Sequence, residues 1–231
     1  MSVKNLQNNL VQDYARNLQN EILESSYQER LPNISELKTV IDEWLPSDLV
    51  VCRSKVKCLD ACQFHQRCES SYWLNHTEKV SNLMADFARL NNLDEELYYI
   101  TGYAHDLDYL QFPHDLENVS LKDSHPFKCI EFLREINAPR LMLLAILEHS
   151  PHLNLKLSSA LSKALLICDD ISTFSSANLK LEYPNTLPSS WIDLFKNIPP
   201  DKETLVDPKL SMARFYGRVV PCLESLAIDL S

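Results

Sequence analysis

The stretch PRLMLLAILEH, residues 139–149, decides the fold class. Proline is tolerated in the first turn of a helix, where its missing N–H would have had no partner anyway. From Leu141 to Leu147 the side chains are apolar almost all the way round, so the helix they form has no face to offer water and is expected to be buried. The run is far short of the ~18 apolar residues of a membrane span, and no other run in the chain approaches that length. A helix apolar on every side needs other elements around it. On one flank Pro126 opens a helix carrying Phe127, Ile130, Leu133 and Ile136; on the other, Leu157, Leu161, Ala164, Leu165 and Cys168 mark the next.

Farther out the spacing stays helical. Val80, Leu83, Met84, Phe87 and Leu90 share one face of a helix over about 72–91, and Leu97, Ile100 and Ala104 one over about 94–106. Leu6, Leu10, Val11, Tyr14, Leu18, Ile22 and Leu23 mark a long first helix, ended by Leu31-Pro32. Asn33 with Glu36 forms a capping box for a second helix reaching Trp44. Residues 47–70 read as irregular, 107–123 and 178–207 as loop with a short helical piece near Trp191, and 208–228 as a last helix. The chain holds two glycines, Gly102 and Gly217, which leaves too few positive-φ residues for the turns of an all-β fold and excludes glycine-rich phosphate loops. The expectation is an all-α bundle: an N-terminal helical extension at 1–70 and a helical domain at 71–231.

The net charge of −10 argues against a broad nucleic-acid surface, which draws its affinity from neutralising phosphates. Met1–Asn20 has no apolar core of a secretory signal, so the seven cysteines are expected to be reduced thiols or metal ligands, in a cytoplasmic protein.

The chemistry-bearing residues fall in a pattern. His76 starts one helix in line with its core face, His105-Asp106 ends the next, His125 precedes a third, His149 ends the buried one, and Asp169-Asp170 ends a fifth. Imidazoles and carboxylates at the ends of successive apolar helices converge if the helices bundle. Four to six N and O donors of this kind suit Zn²⁺, Mn²⁺ or Fe²⁺.

The order His, His-Asp, His, His, Asp resembles the HD-domain superfamily of metal-dependent phosphohydrolases, with its closest likeness to the small bacterial hydrolase branch. AHDLDY (104–109), SHPFKCIEFLR (124–134), AILEH (145–149) and ALLICDDIS (164–172) carry the resemblance, which covers about residues 72–175. It implies that His76, His105, Asp106 and Asp169 hold a first metal ion. It implies that His125 and His149 add the ligands of a second, with Asp106 bridging. Asp169, not Asp170, takes the position of the family aspartate. The cofactors implied are one or two divalent ions per chain (Mn, Fe, Zn or Mg), and the substrate a nucleotide or other small phosphorylated metabolite. The alternatives are a di-iron oxygenase built on a similar six-ligand site and a non-catalytic nucleotide-sensing or interaction module in which residues 1–70 bind a partner.

Three further expectations concern the surroundings. Position at a helix N-terminus favours the neutral, ligating form of His125. Asp108, just past the HD pair, is a candidate for orienting a water or a substrate hydroxyl, with a loop cap as the plainer role. Lys128, one turn past His125, is a candidate phosphate contact, with a solvated lysine as the alternative. Cys52, Cys58, Cys62 and Cys68 are spaced by 6, 4 and 6 residues, unlike paired zinc knuckles. Ordinary thiols suit that spacing best, with a structural metal site or redox pair as alternatives. Cys129, Cys168 and Cys222 read as small core residues.

Overall fold

The helix at the centre of the protein is the one expected there. The structure is a computed structural model that describes residues 3–44, 65–109 and 124–177, together with Val219, Pro221, Cys222 and Ser225. Among these residues lie α1 (Val3–Glu24), α2 (Ile34–Trp44), α3 (His65–Leu90), α4 (Glu95–Ala104), α5 (Phe127–Glu135), α6 (Arg140–Glu148), a 3-10 turn (Pro151–Leu153) and α7 (Ala160–Ala177), with no strand. The family-independent expectation of an all-α bundle holds. α6 is enclosed by α1, α4, α5 and α7, while α3 runs along α4 and crosses α7. Met142 through Leu147 are buried; Leu141, at the outer edge, is half exposed. Each fully buried Leu, Ile or Met contributes roughly 1.5–3 kcal/mol relative to exposure.

Local chemistry explains most boundaries. The Asn33 side chain accepts from the Glu36 N–H at 3.0 Å and Glu36 accepts from the Asn33 N–H at 2.9 Å, the reciprocal capping box at the start of α2. Asp94 caps α4 by accepting from the Leu97 N–H. With glycine scarce, asparagines take the left-handed turns: Asn92 follows α3, Asn137 follows α5 and Asn154 follows the 3-10 turn, all with φ between 51° and 60°.

Three expectations need correction. α1 stops at Glu24, not at Leu31-Pro32: the Ser25 hydroxyl donates to the Ile22 carbonyl at 2.7 Å and competes with helix continuation. Residues 25–33 instead run as a strap over the α5–α6 connection, with the Tyr27 hydroxyl donating to the Ala138 carbonyl and the Arg30 N–H to the Asn137 carbonyl. His76 does not start a helix; α3 begins at His65, so His76 lies near its middle and the helix continues across residue 70. Asp169 likewise sits in the middle of α7, not at its end. Apolar faces begin where a helix enters the core, which is not where its backbone begins. The readings of 47–64, 110–123 and 178–207, including Cys52, Cys58, Cys62 and Trp191, lie outside the described residues. So does the Cys68 side chain. Of the last expected helix, the four described residues are consistent with it: Val219, Pro221, Cys222 and Ser225 are helical.

Candidate metal centre

Five helices deliver the donors. His76 projects from mid-α3, His105 caps the C-terminus of α4 with Asp106 following, His125 precedes α5, His149 caps α6, and Asp169 projects from mid-α7. All six residues meet. Three overlapping sets each place one donor atom per residue within 4.8 Å of the others: His76 with His105 and Asp106; His105 with His149 and Asp169; Asp106 with His125 and His149. Asp170, the neighbour of Asp169, is in none of them.

Asp106 divides the group. Its Oδ2 lies 3.8 Å from His76 Nε2 and 3.3 Å from His105 Nε2. Its Oδ1 lies 3.4 Å from His125 Nε2 and 3.6 Å from His149 Nε2. Asp169 Oδ1 completes the first half, 3.1 Å from His76 Nε2 and 3.9 Å from His105 Nε2. Two ligands held about 2.1 Å from one ion stand roughly 3.0–3.4 Å apart, so three of these six separations suit donors facing a common cation and the other three exceed that range by about 0.5 Å or less.

The other ring nitrogens explain why Nε2 faces inward. His105 Nδ1 lies 2.7 Å from the Gly102 carbonyl and His149 Nδ1 2.6 Å from the Ile146 carbonyl; a carbonyl only accepts, so both Nδ1 atoms donate. His125 Nδ1 donates to Asp108 Oδ1 at 2.6 Å, and His76 Nδ1 pairs with the Ser172 hydroxyl at 3.1 Å. In His105, His125 and His149, with Nδ1 occupied by its proton, Nε2 is the one position left for a cation, whether a proton or a metal ion. His105 Nε2 is buried and has no hydrogen-bond partner. That orphaned lone pair, aimed between two carboxylates, is the observation that a metal ion fits.

The electrostatics agree. Burial works against a charged His105, yet Asp106 and Asp169 override it and raise its pKa to about 9. Burial also works to raise the Asp106 carboxyl, but His105, His149 and His125 hold it well below the usual carboxylate range. Asp169 is lowered too, against burial, by His76 and His105. The pocket demands positive charge. At His125, burial favours the neutral ring, as the expected helix-end field does. Asp108 and Asp106 outweigh both and raise its pKa, so the expectation from the helix N-terminus alone is overturned. The imidazoles are nearly sealed, whereas Asp106 and Asp169 keep 13% and 21% of their side-chain surface, so solvent reaches the centre over the carboxylates.

Asp108 takes a different place from the one its position suggested. It is wholly buried, and both oxygens are used: Oδ1 by His125 Nδ1 and Oδ2 by the Cys129 N–H at 2.7 Å. With no surface open to solvent and each oxygen engaged by a protein donor, it is placed to position His125 and not to orient a water or substrate hydroxyl. Lys128 places its ammonium 2.6 Å from Glu131 on its own helix, in a partly exposed pair. Sequence reasoning missed Ser150, a buried hydroxyl 3.3 Å from His125 Nε2; its one signal is adjacency to His149. The Tyr109 ring stands edge-on to His125 at 5.2 Å, partly exposed.

The family model described as HD domain matches residues 73–177. No curated protein and no solved structure matches the chain.

Proposed function

This chain carries an HD domain at residues 73–177, which makes it a member of the HD-domain superfamily, and from that premise we propose that it is a metal-dependent phosphohydrolase acting on a nucleotide or other small phosphorylated metabolite. The observation that carries the proposal is the division of Asp106, one oxygen toward His76 and His105 and the other toward His125 and His149. A donor set split in this way supports two divalent cations sharing one carboxylate, with His76, His105 and Asp169 completing the first position and His125 and His149 the second. Mn, Fe, Zn or Mg all accept such oxygen and nitrogen donors, with imidazole weighting the choice away from Mg.

Bound there, divalent ions would supply polarisation of a phosphoryl oxygen and a lowered pKa for water. The chain's residues do the rest. The Gly102 and Ile146 carbonyls and Asp108 keep protons on the Nδ1 atoms, so the Nε2 lone pairs stay presented. The nearly sealed imidazole wall excludes water from behind the site, and the opening over Asp106 and Asp169 admits an anionic substrate from one side. Ser150, beside His125 Nε2, supplies a hydroxyl that can donate toward an oxygen at the second position. Lys128 remains within the proposal as a phosphate contact: its exposed pair with Glu131 is worth about 0.2–1 kcal/mol, little to give up for a phosphate.

The net charge of −10 supports a small ligand over a nucleic-acid polymer. Among the described residues no helix is long and apolar enough to cross a membrane. The buried free thiols of Cys129 and Cys168 support a reducing, cytoplasmic setting.

The test is metal analysis of protein purified without chelator, followed by a phosphatase screen over nucleotides and sugar phosphates, with Asp106→Ala alongside. We expect bound divalent metal, release of inorganic phosphate from at least one substrate, and loss of both in the variant. Turnover by Asp106→Ala at wild-type metal content would refute the hydrolase proposal, as would iron with oxygen consumption in place of phosphate release.

A further inference from the structure

The second half of the metal centre leans on an element outside the HD domain. His149 follows Glu148, whose side chain is buried at the end of α6. One Glu148 oxygen accepts from Gln19 Nε2 at 2.7 Å, and the other from the Ser158 N–H at 2.7 Å. Gln19 belongs to α1. A buried carboxylate must have its oxygens satisfied, so these two donors pin the end of α6 and with it the ring of His149. On the neighbouring helix, Phe127 is buried two residues after His125, and the Tyr14 ring of α1 packs edge-on against it with centroids 4.9 Å apart. Gln12 of α1 adds a longer contact to the His152 carbonyl in the 3-10 turn after His149.

The other ligands are held without α1. His76 is braced by Ser172 of α7 and His105 by Gly102 of its own helix, while α3, α4 and α7 pack on one another. Among the described residues, the substantial neighbours of α1 are α6 and the 3-10 turn.

We propose that α1 is the positioning element for the second metal ion: through Gln19 and Glu148 it sets His149, and through Tyr14 and Phe127 it sets His125, while the first ion's ligands are set inside the HD domain. The proposal rests on the two-ion reading above and gives the N-terminal extension a function in it. Gln19, Glu148 and Tyr14 are positioning residues; none is among the donors. Because α1 reaches one pair of imidazoles and not the other, a change in α1 alters occupancy of one ion selectively, which a loss of general stability would not do.

Purified full-length protein, stripped with chelator, is titrated with Mn²⁺ by calorimetry, and paramagnetic resonance reports whether the two ions are coupled. Gln19→Leu keeps the bulk of the side chain and removes its donor; Gln19→Lys keeps a donor; Tyr14→Leu tests the second contact independently. Circular dichroism confirms that each variant is helical. In Gln19→Leu the first Mn²⁺ is expected to bind as in the wild type and the second about 10-fold more weakly, at the low end of the 10- to 100-fold typical of partners behind a ligand. The coupled-pair signal is expected to fade at limiting Mn²⁺. Gln19→Lys should restore both to within about threefold. Tyr14→Leu should weaken the second ion alone. Equal affinity for the second ion in wild type, Gln19→Leu and Tyr14→Leu overturns the role of α1, and so does a loss shared equally by both ions. A wild-type chain that takes one Mn²⁺ overturns the two-ion reading itself.

Discussion

Asp108→Asn exchanges one oxygen for an NH₂ and should silence the metal ligand His125 by acting on its other ring nitrogen, Nδ1. Two donors meet the Asp108 carboxylate, His125 Nδ1 at 2.6 Å and the Cys129 backbone N–H at 2.7 Å. Asparagine has one acceptor oxygen for the pair. The backbone N–H can only donate, so it keeps the oxygen, and the new NH₂ is turned toward His125 Nδ1. That nitrogen must then accept, which moves the ring proton to Nε2, the atom 3.4 Å from Asp106 Oδ1. The lone pair offered to the second ion is lost. A hydrogen bond to a charged group is worth roughly 1.5–3 kcal/mol, or about 10- to 100-fold, and outer partners of metal-bound imidazoles are typically worth about 10- to 100-fold in metal affinity. Calorimetric titration with Zn²⁺ or Mn²⁺ should therefore show the second ion weakened by that factor and the first retained. Nitrogen NMR of the His125 ring in the ion-free protein, at a pH high enough for the ring to be neutral, should show the proton moved from Nδ1 to Nε2. Asp108→Ala is a different perturbation: it leaves the buried Cys129 N–H unpaired, which costs about 1–3 kcal/mol of stability. An Asp108→Asn protein that binds both ions with wild-type affinity and keeps its proton on Nδ1 would refute the assignment of Asp108 as the group that orients His125.

Other outcomes follow from the same geometry. A Cβ at Gly102 would stand 2.9 Å from Ser81 Cα and 3.0 Å from Ser81 N, backbone atoms of α3 that cannot swing aside. Gly102→Ala should cost about 1–3 kcal/mol by overpacking, less up to ~1 kcal/mol of helix propensity, and lower the melting temperature by several degrees; an unchanged melting temperature would show that α3 and α4 can separate freely. With the His105 pKa raised to about 9, the ion-free ring carries a proton below that pH, and a metal ion must expel it. Metal affinity should rise with pH by up to about tenfold per unit and level off above about 9, whereas a flat profile from pH 6 to 9 would count against a ligand role for His105. The raised pKa also has a sign for folding: its contribution to the ion-free protein is complete below the unfolded value of 6.5 and is lost as pH rises through about 9, which chemical denaturation at several pH values would record. Lys128→Ala should leave metal content unchanged and lower kcat/KM by about 10- to 100-fold on a substrate found by the screen; an unchanged kcat/KM would leave the ammonium to its pair with Glu131.

Much of the helix architecture can be read along the chain because its causes are local. The all-apolar circumference of residues 141–147 places α6 inside the bundle, and four helices enclose it. The Asn33–Glu36 reciprocal cap and the Asp94 cap are contacts between residues three apart, visible as spacing. The order of His76, His105-Asp106, His125, His149 and Asp169 is also a property of the sequence, and the structure brings all six together. Their arrangement at the ends of helices was the weaker part, since His76 and Asp169 reach the centre from the middle of α3 and α7.

What only the tertiary structure decided is how those residues are held. That Asp106 turns one oxygen to each pair of imidazoles, that Asp108 is spent on His125 and Cys129, that Ser150 lies beside Nε2, and that Gln19 reaches Glu148 across 129 positions of chain all depend on where helices cross. Helix periodicity and capping are set by neighbours within one turn and are therefore written in spacing. A hydrogen bond of 2.7 Å between distant segments depends on interaxial distance and rotation, which emerge from packing every apolar face at once. The sequence by itself determined which donors the protein possesses and in what order; the packing of α6 among its neighbours determined which atoms they present to a cation.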